Sequence, residues 1–167
     1  MPLAAKGEFA LVRSILEAAL EKHGQPVRRG TMAHDHHVYM LLTEAAAQQR
    51  DPAALAAYAP QLEALAARDG HRLYQAIAAR ALGVARRLAG EDALSAAAFD
   101  RALALFTDLG TQWQLGRTLC ERAELELARQ APAAARDHYL RALAAFEALG
   151  ALPDLERTRA ALSTLPA

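Results

Sequence analysis

One ten-residue segment of this chain occurs twice, at a separation of forty residues. RALALFTDLG at residues 101–110 and RALAAFEALG at residues 141–150 share seven of their ten residues. Gly70 and Gly30 extend the same spacing toward the N-terminus. A fixed internal period of this length is typical of repeat proteins, in which each unit stacks on its neighbours. The period therefore favours a stacked array over a helical bundle, which needs no repeat of constant length.

Each forty-residue unit is predicted to contain two helices. Apolar residues in the clearest unit fall at steps of three and four, on one helical stripe; they are Phe99, Ala102, Leu103, Phe106 and Leu109. Gly110 follows this stripe, where a left-handed residue closes a helix at little cost. Pro60 lies inside the third predicted helix, where a kink is expected. The pattern predicts eight helices, at residues 8–23, 31–49, 52–68, 71–89, 91–108, 111–129, 132–149 and 153–164.

Stacking such helix pairs buries the apolar stripe of each pair against its neighbours and leaves a concave face along the array. The expected fold class is all-α, an α-solenoid of helix-turn-helix repeats with about eight helices. Residues 1–30 are expected to form an N-terminal helix that caps or partly completes the first unit. The repeat array is expected to follow over residues 31–167, with units at 31–70, 71–110 and 111–150 and a partial unit at 151–167.

Composition and charge narrow the class of partner. Nineteen Lys and Arg residues balance nineteen Asp and Glu residues, so net charge gives no reason to expect nucleic acid or an acidic membrane surface. The single cysteine, Cys120, excludes an internal disulfide. No apolar run reaches the length of a membrane span, and charges scattered through residues 1–20 are unlike a secretory signal. A cytoplasmic location is expected.

Two motifs within the units are shared with a known repeat family. Leu82-Gly83 lies in the first helix of one unit, and Ala135-x3-Tyr139, followed by Ala142, lies in the second helix of the next. These residues resemble the tetratricopeptide repeat, although its usual period is about 34 residues. The unit endings look like the longer repeats of large bacterial signalling proteins, including ATPase-linked transcription activators. The resemblance implies a noncatalytic scaffold that binds a peptide or partner domain in a concave groove, within a bacterial signalling or transcription-regulation system.

The resemblance also implies where a partner would bind, since ligand contacts in this family come mainly from the first helix of each unit. Positions spaced by three, four and seven residues share one face of such a helix. In this chain they include Met40, Ile77, Val84 and Cys120, together with the candidate partner-binding residues His37, Glu44, Arg80, Arg87, Arg117 and Glu124. Trp113 joins these candidates because it has no aromatic equivalent forty residues away.

Arg80 and Arg117 come from adjacent units and are expected to lie near one another. Together they could bind a carboxylate or phosphate of the partner, because guanidinium groups pair with these anions through two parallel hydrogen bonds. The alternative is an exposed, solvated face with no partner.

Three of the six histidines lie in the segment AHDHHVY, residues 33–39, which raises the question of a metal site. His34 and His37 share one face of a helix, whereas His36 points elsewhere. His71, at the start of the next unit, would be the third ligand of a site between two repeats. The alternative is a polar helix start, in which Asp35 favours the positive end of the helix dipole. The second interpretation is preferred, so no metal and no other cofactor is expected.

The sequence carries no catalytic motif. It contains no Gly-rich phosphate loop, HExxH, GxSxG or CxxC, and the chain is expected not to be an enzyme. Glu121, Glu124 and Glu126 alternate with arginines and are expected to form a solvated, ion-paired helix face.

Two further expectations remain open. The alternative function is a small-molecule effector-sensing module, in which an effector in the groove changes its curvature. Self-association through the terminal helices is also expected to be feasible, since a truncated last unit leaves an apolar side uncovered.

Overall fold

The computed structural model describes residues 7–23 and 33–166, apart from the side chains of residues 22, 23 and 33–35. Within these residues the chain is all-α, and its eight helices agree with those predicted to within two residues at each end. The expected boundary at residues 30 and 31 lies outside the described residues. The helices are α1 (Phe9–His23), α2 (Ala33–Gln48), α3 (Pro52–Arg68), α4 (Arg72–Leu88), α5 (Asp92–Asp108), α6 (Gln112–Ala128), α7 (Pro132–Glu147) and α8 (Leu152–Ser163).

The turns between helices repeat every twenty residues rather than every forty. A residue with positive φ follows each of the helices α2 to α7, at Arg50, Gly70, Gly90, Gly110, Gln130 and Gly150. At the fourth of these turns, the Gly110 amide donates to Thr107 O at 3.0 Å and the Thr111 amide donates to Phe106 O at 3.1 Å. This pair of bonds is the Schellman arrangement, which satisfies carbonyls that the helix end leaves open. One turn geometry therefore joins all the helices from α2 to α8.

The start of α3 follows the sequence prediction. The Asp51 side chain accepts a hydrogen bond from Ala54 N at 3.0 Å, and Pro52 occupies the first helical position, where no intrahelical donor is lost. Helix α3 continues through the exposed Pro60 to Arg68, and the expected kink at this proline stays a prediction.

Consecutive helices pack against one another along the whole series, and the first helices of neighbouring units, α2, α4 and α6, also pack side by side. This is the predicted α-solenoid arrangement. Helix α8 continues the row, because Trp113 of α6 donates to Asp154 of α8 at 2.9 Å. Helix α1 packs on α2 and is fixed to the start of α3 by Arg13, which donates to Asp51 at 2.7 Å.

Aromatic side chains of the second helices fill the core. The fully buried ones are Phe99, Phe106, Tyr139 and Phe146. Two of them lie directly on glycines of the preceding helix, since a Cβ added at Gly83 would lie 2.6 Å from the Phe99 ring and one at Gly116 would lie 2.7 Å from the Phe146 ring. The glycine of the Leu82-Gly83 motif therefore permits the close approach of α4 and α5.

Two sequence expectations about burial are wrong. Leu109 of the predicted stripe is exposed, because it lies just past the last residue of α5. Glu126, expected on a solvated face, is buried and pairs with Arg122 at 2.7 Å. Its burial is tolerated because the guanidinium supplies the compensating charge.

The exposed face of α8 carries both polar and apolar residues. In the forty-residue register Glu156 and Ser163 take the places of Gly116 and Ala123, which face α7 in the preceding unit, and both are exposed. Leu152, one turn before Glu156, is 66% exposed, so an apolar side chain is also uncovered there. Self-association through the terminal helices stays a prediction. Among the described residues, no helix is both long and apolar enough to cross a membrane.

Candidate binding groove

A groove runs along the face formed by α2, α6 and α8. It consists of two cavities of about 530 and 240 Å³. Residues of α1, α2, α6 and α8 line the larger cavity, and α7 contributes to the smaller one. The two cavities share Gln48, Arg117, Asp154 and Arg157, so they are parts of one continuous groove.

Glu44 of α2 binds two arginines at the floor of the groove. One carboxylate oxygen accepts from Arg80 of α4, and the other accepts from Arg117 of α6 at 2.7 Å. Arg80 is only 4% exposed and also donates to Gln114 Oε1 at 2.5 Å. Burial alone would raise the pKa of Glu44, but the charges of Arg117 and Arg80 outweigh it and lower the pKa to about 2. The ionised carboxylate thus links three successive units.

A second cluster of ion pairs lies further along the groove. Glu121 accepts from Arg50 at 2.6 Å and from Arg87 at 3.1 Å. One turn later, Glu124 accepts from the Tyr139 hydroxyl at 3.1 Å. Burial of the phenol and the nearby charge of Glu124 raise the pKa of Tyr139, which therefore stays protonated and continues to donate.

Trp113 lies at the mouth of the larger cavity and is 42% exposed. Its indole N–H donates to one oxygen of Asp154 at 2.9 Å, and Arg157 donates to the other oxygen at 2.6 Å. The Arg117 guanidinium lies 4.8 Å from the centroid of the indole, within the range of a cation–π contact. These contacts hold the indole in one orientation while part of its surface remains open.

Most of the predicted positions do reach the groove. The candidates Glu44, Trp113, Arg117 and Glu124 line it together with Met40 and Cys120. Arg80 and Arg117 are neighbours as predicted, but the anion between them is Glu44 of the same chain. Arg87 contacts the groove only through Glu121 and Glu124.

Three predicted positions lie elsewhere. His37 is exposed on α2 and lines neither cavity. Ile77 and Val84 are fully buried in the core, so their placement on the groove is wrong. Helix α4 packs against α2 on one side and α6 on the other, which leaves little of its inner face open.

Sequence reasoning missed several residues of the groove. They are Phe9, Leu41, Gln48, Arg50, Gln114, Glu121, Tyr139, Pro153, Asp154 and Arg157. The repeat register contains a signal for two of them, because Asp154 and Arg157 lie forty residues after Gln114 and Arg117. Phe9 has no such signal, since α1 stands outside the repeat register.

The histidines adopt a different arrangement from the predicted one. His36 is buried, its Nε2 lies 3.3 Å from Asp69 Oδ2, and its ring centroid lies 5.6 Å from that of His71. The side chain of His34 lies outside the described residues, and His37 is exposed. His36, which was expected to point away, is thus the neighbour of His71. Over the side chains that the structure describes, no three His, Cys, Asp or Glu groups are placed to hold a metal ion.

Cys120 lies between α6 and α8 and is not activated. Burial raises the pKa of its thiol to about 11, even though the sulfur lies within hydrogen-bonding distance, 3.6 Å, of the Thr158 hydroxyl. A thiol with this pKa is protonated at neutral pH and is a weak nucleophile. The groove therefore offers charged and apolar binding surface rather than a reactive sulfur.

Comparisons with protein-family models, with curated proteins and with solved structures give no match to this chain. The argument for a function therefore rests on the geometry of the groove.

Proposed function

We propose that this chain is a noncatalytic interaction module that binds a segment of another protein in the groove. The observation that carries the proposal is Trp113, a large aromatic side chain that is partly exposed at a cavity and yet held in place by Asp154 and Arg117. Tryptophan and arginine are the residues most enriched among those that dominate binding energy at protein interfaces. A fixed indole beside an arginine is suited to that role.

The ion pairs at the groove floor support the same proposal. Because Glu44 joins Arg80 and Arg117, the helices α2, α4 and α6 are held in one relative position before any partner binds. When a groove is already formed before its partner binds, less binding free energy is lost to the ordering of side chains. The likeness of Leu82-Gly83 and Ala135-x3-Tyr139 to tetratricopeptide repeats, and the signalling or transcription-regulation setting that it implies, belong to this proposal.

Site-specific photo-crosslinking in cells tests the proposal. A benzophenone amino acid at Met40 lies in the larger cavity, whereas the same group at Leu94 is exposed on α5 and lines neither cavity. We expect one protein to be crosslinked from Met40 and not from Leu94, and the Trp113→Ala substitution should abolish that crosslink. Crosslinking from Leu94 alone would refute the assignment of the groove.

A second candidate function is the sensing of a small effector. The larger cavity, at about 530 Å³, falls within the range of small-ligand sites, about 300 to 1,000 Å³. Native mass spectrometry of the purified chain separates the two functions. A bound small molecule that is lost in Trp113→Ala would favour sensing, whereas a bound polypeptide would favour the interaction module.

A further inference from the structure

The two ends of the groove differ in chemistry. The larger cavity has a mainly apolar wall made by Phe9, Met40, Leu41, Trp113 and Pro153. The smaller cavity is more polar, because Arg50, Glu121, Glu124 and Tyr139 line it beside the apolar Phe146 and Ala161. The shared residues Arg117 and Arg157 lie where the two cavities meet. A segment that occupies the whole groove therefore contacts an apolar cavity at one end and a more polar cavity at the other.

The carboxylates of the groove are already paired within the chain. Both oxygens of Glu44 bind arginine, and both oxygens of Asp154 are taken, by the Trp113 indole and by Arg157. Glu121 binds two arginines, and Glu124 accepts from a tyrosine hydroxyl. A lysine or arginine of a partner would have to compete with these donors, at the cost of leaving a partly buried arginine unpaired.

The arginines, in contrast, include side chains with N–H groups that remain available to a partner. Five arginines form ion pairs with the four carboxylates; they are Arg50, Arg80, Arg87, Arg117 and Arg157. Arg80 and Arg87 line neither cavity but pair with the carboxylates of the groove, so the ion-paired cluster as a whole carries one net positive charge. Two of the five side chains are well exposed, Arg50 at 40% and Arg157 at 72%. Each guanidinium carries five N–H groups, and within the described part of the chain one of Arg50 and two of Arg157 are bound.

These observations indicate which chemistry the groove prefers in a bound segment. The inference rests on the function proposed above. We infer that the groove binds a protein segment in which a large apolar side chain is followed by acidic side chains. The apolar side chain fills the cavity between Phe9, Met40 and Trp113, and the acidic side chains accept from Arg157 and Arg50. Burial of the apolar side chain in the larger cavity contributes binding free energy. The remaining N–H donors of Arg157 and Arg50 favour acidic residues over basic ones.

Selection from a phage-displayed random peptide library on the intact chain tests this inference. The enriched peptides are expected to pair an aromatic or large aliphatic residue with Asp or Glu. A synthetic peptide of the winning sequence should lose about tenfold in affinity for the Arg157→Gln variant, the effect of one charge-assisted hydrogen bond. The matched control is Arg141→Gln, because Arg141 is also an exposed arginine that pairs with an aspartate of its own helix, and it lines neither cavity. That variant should bind as the wild type does.

The outcomes separate the two proposals. Enrichment of basic peptides that is lost in Trp113→Ala would overturn the acidic preference and leave groove binding in place. Enrichment that survives both Trp113→Ala and Arg157→Gln would place binding outside the groove and overturn both proposals. If no peptide is enriched, the inference on chemistry fails, whereas the crosslinking from Met40 still decides whether a protein occupies the groove.

Discussion

Replacing Glu44 with glutamine removes the charge at the centre of the groove floor while keeping the shape of the side chain. The carboxylate is only 16% exposed, so solvent screens its two arginine pairs weakly. Its pKa falls from an ordinary value of 4.5 to about 2, which corresponds to about 3 kcal/mol at about 1.4 kcal/mol per pKa unit. We expect Glu44→Gln to lower the free energy of unfolding by about this amount at neutral pH.

The sign of the pH dependence follows from the direction of the shift. A carboxylate whose pKa is lowered in the folded state stabilises the protein above its unfolded pKa, and that stabilisation disappears as the pH falls toward 2. Urea unfolding followed by circular dichroism should therefore show the wild type losing about 3 kcal/mol more than Glu44→Gln between about pH 5 and pH 2. The control is Glu63→Gln, which breaks a more exposed pair with Arg101 and should change stability by less than about 1 kcal/mol. Parallel pH profiles for the wild type and Glu44→Gln would refute the reasoning.

Three further predictions concern the repeat itself, and urea unfolding measures each. Gln130 has a φ of 59°, so Gln130→Gly should stabilise the chain by about 1 kcal/mol, whereas Gly110→Gln should destabilise it by a similar amount. The buried Thr43 hydroxyl has no hydrogen-bond partner within the described part of the chain, so Thr43→Val should stabilise by about 1 kcal/mol. In Thr118, which is equally buried, the hydroxyl donates to a backbone carbonyl at 2.8 Å, so Thr118→Val should instead cost about 1 kcal/mol. Gly83→Ala should cost about 1 to 3 kcal/mol because its Cβ would overlap the Phe99 ring, and no loss of stability would contradict the close approach of α4 and α5.

The helices could be predicted closely because local signals mark both of their ends. Gly110 and the segment Asp51-Pro52 each belong to a turn or cap whose backbone geometry restricts the choice of residue. The twenty-residue turn period was missed because Arg50 and Gln130 adopt the same left-handed conformation without glycine. A residue with a Cβ is strained in this conformation, and the Schellman hydrogen bonds offset that cost.

The groove was only partly predictable, for a different reason. The resemblance to tetratricopeptide repeats implied that Glu44 and Arg117, on the first helices of their units, would line the groove, and both do. Spacing cannot show which side chains pair across helices, so the occupation of the Arg80 and Arg117 donors by Glu44 was not foreseen. The same limit applies to Ile77, whose burial depends on how closely α2 and α6 approach α4.

The histidine-rich segment also finds its explanation in packing across helices. In the second and third units the large core residues lie on the second helix and the small ones on the first. The first unit reverses this order. Ala59 and Ala66 of α3 lie forty residues before Phe99 and Phe106. On α2, Thr43 and His36 lie forty residues before Gly83 and Ala76. All four first-unit residues are buried, and His36 reaches the end of α3, where its Nε2 lies 3.3 Å from Asp69. His36, which belongs to the segment that raised the question of a metal site, thus adds volume on α2 at a level of the core where α3 carries an alanine.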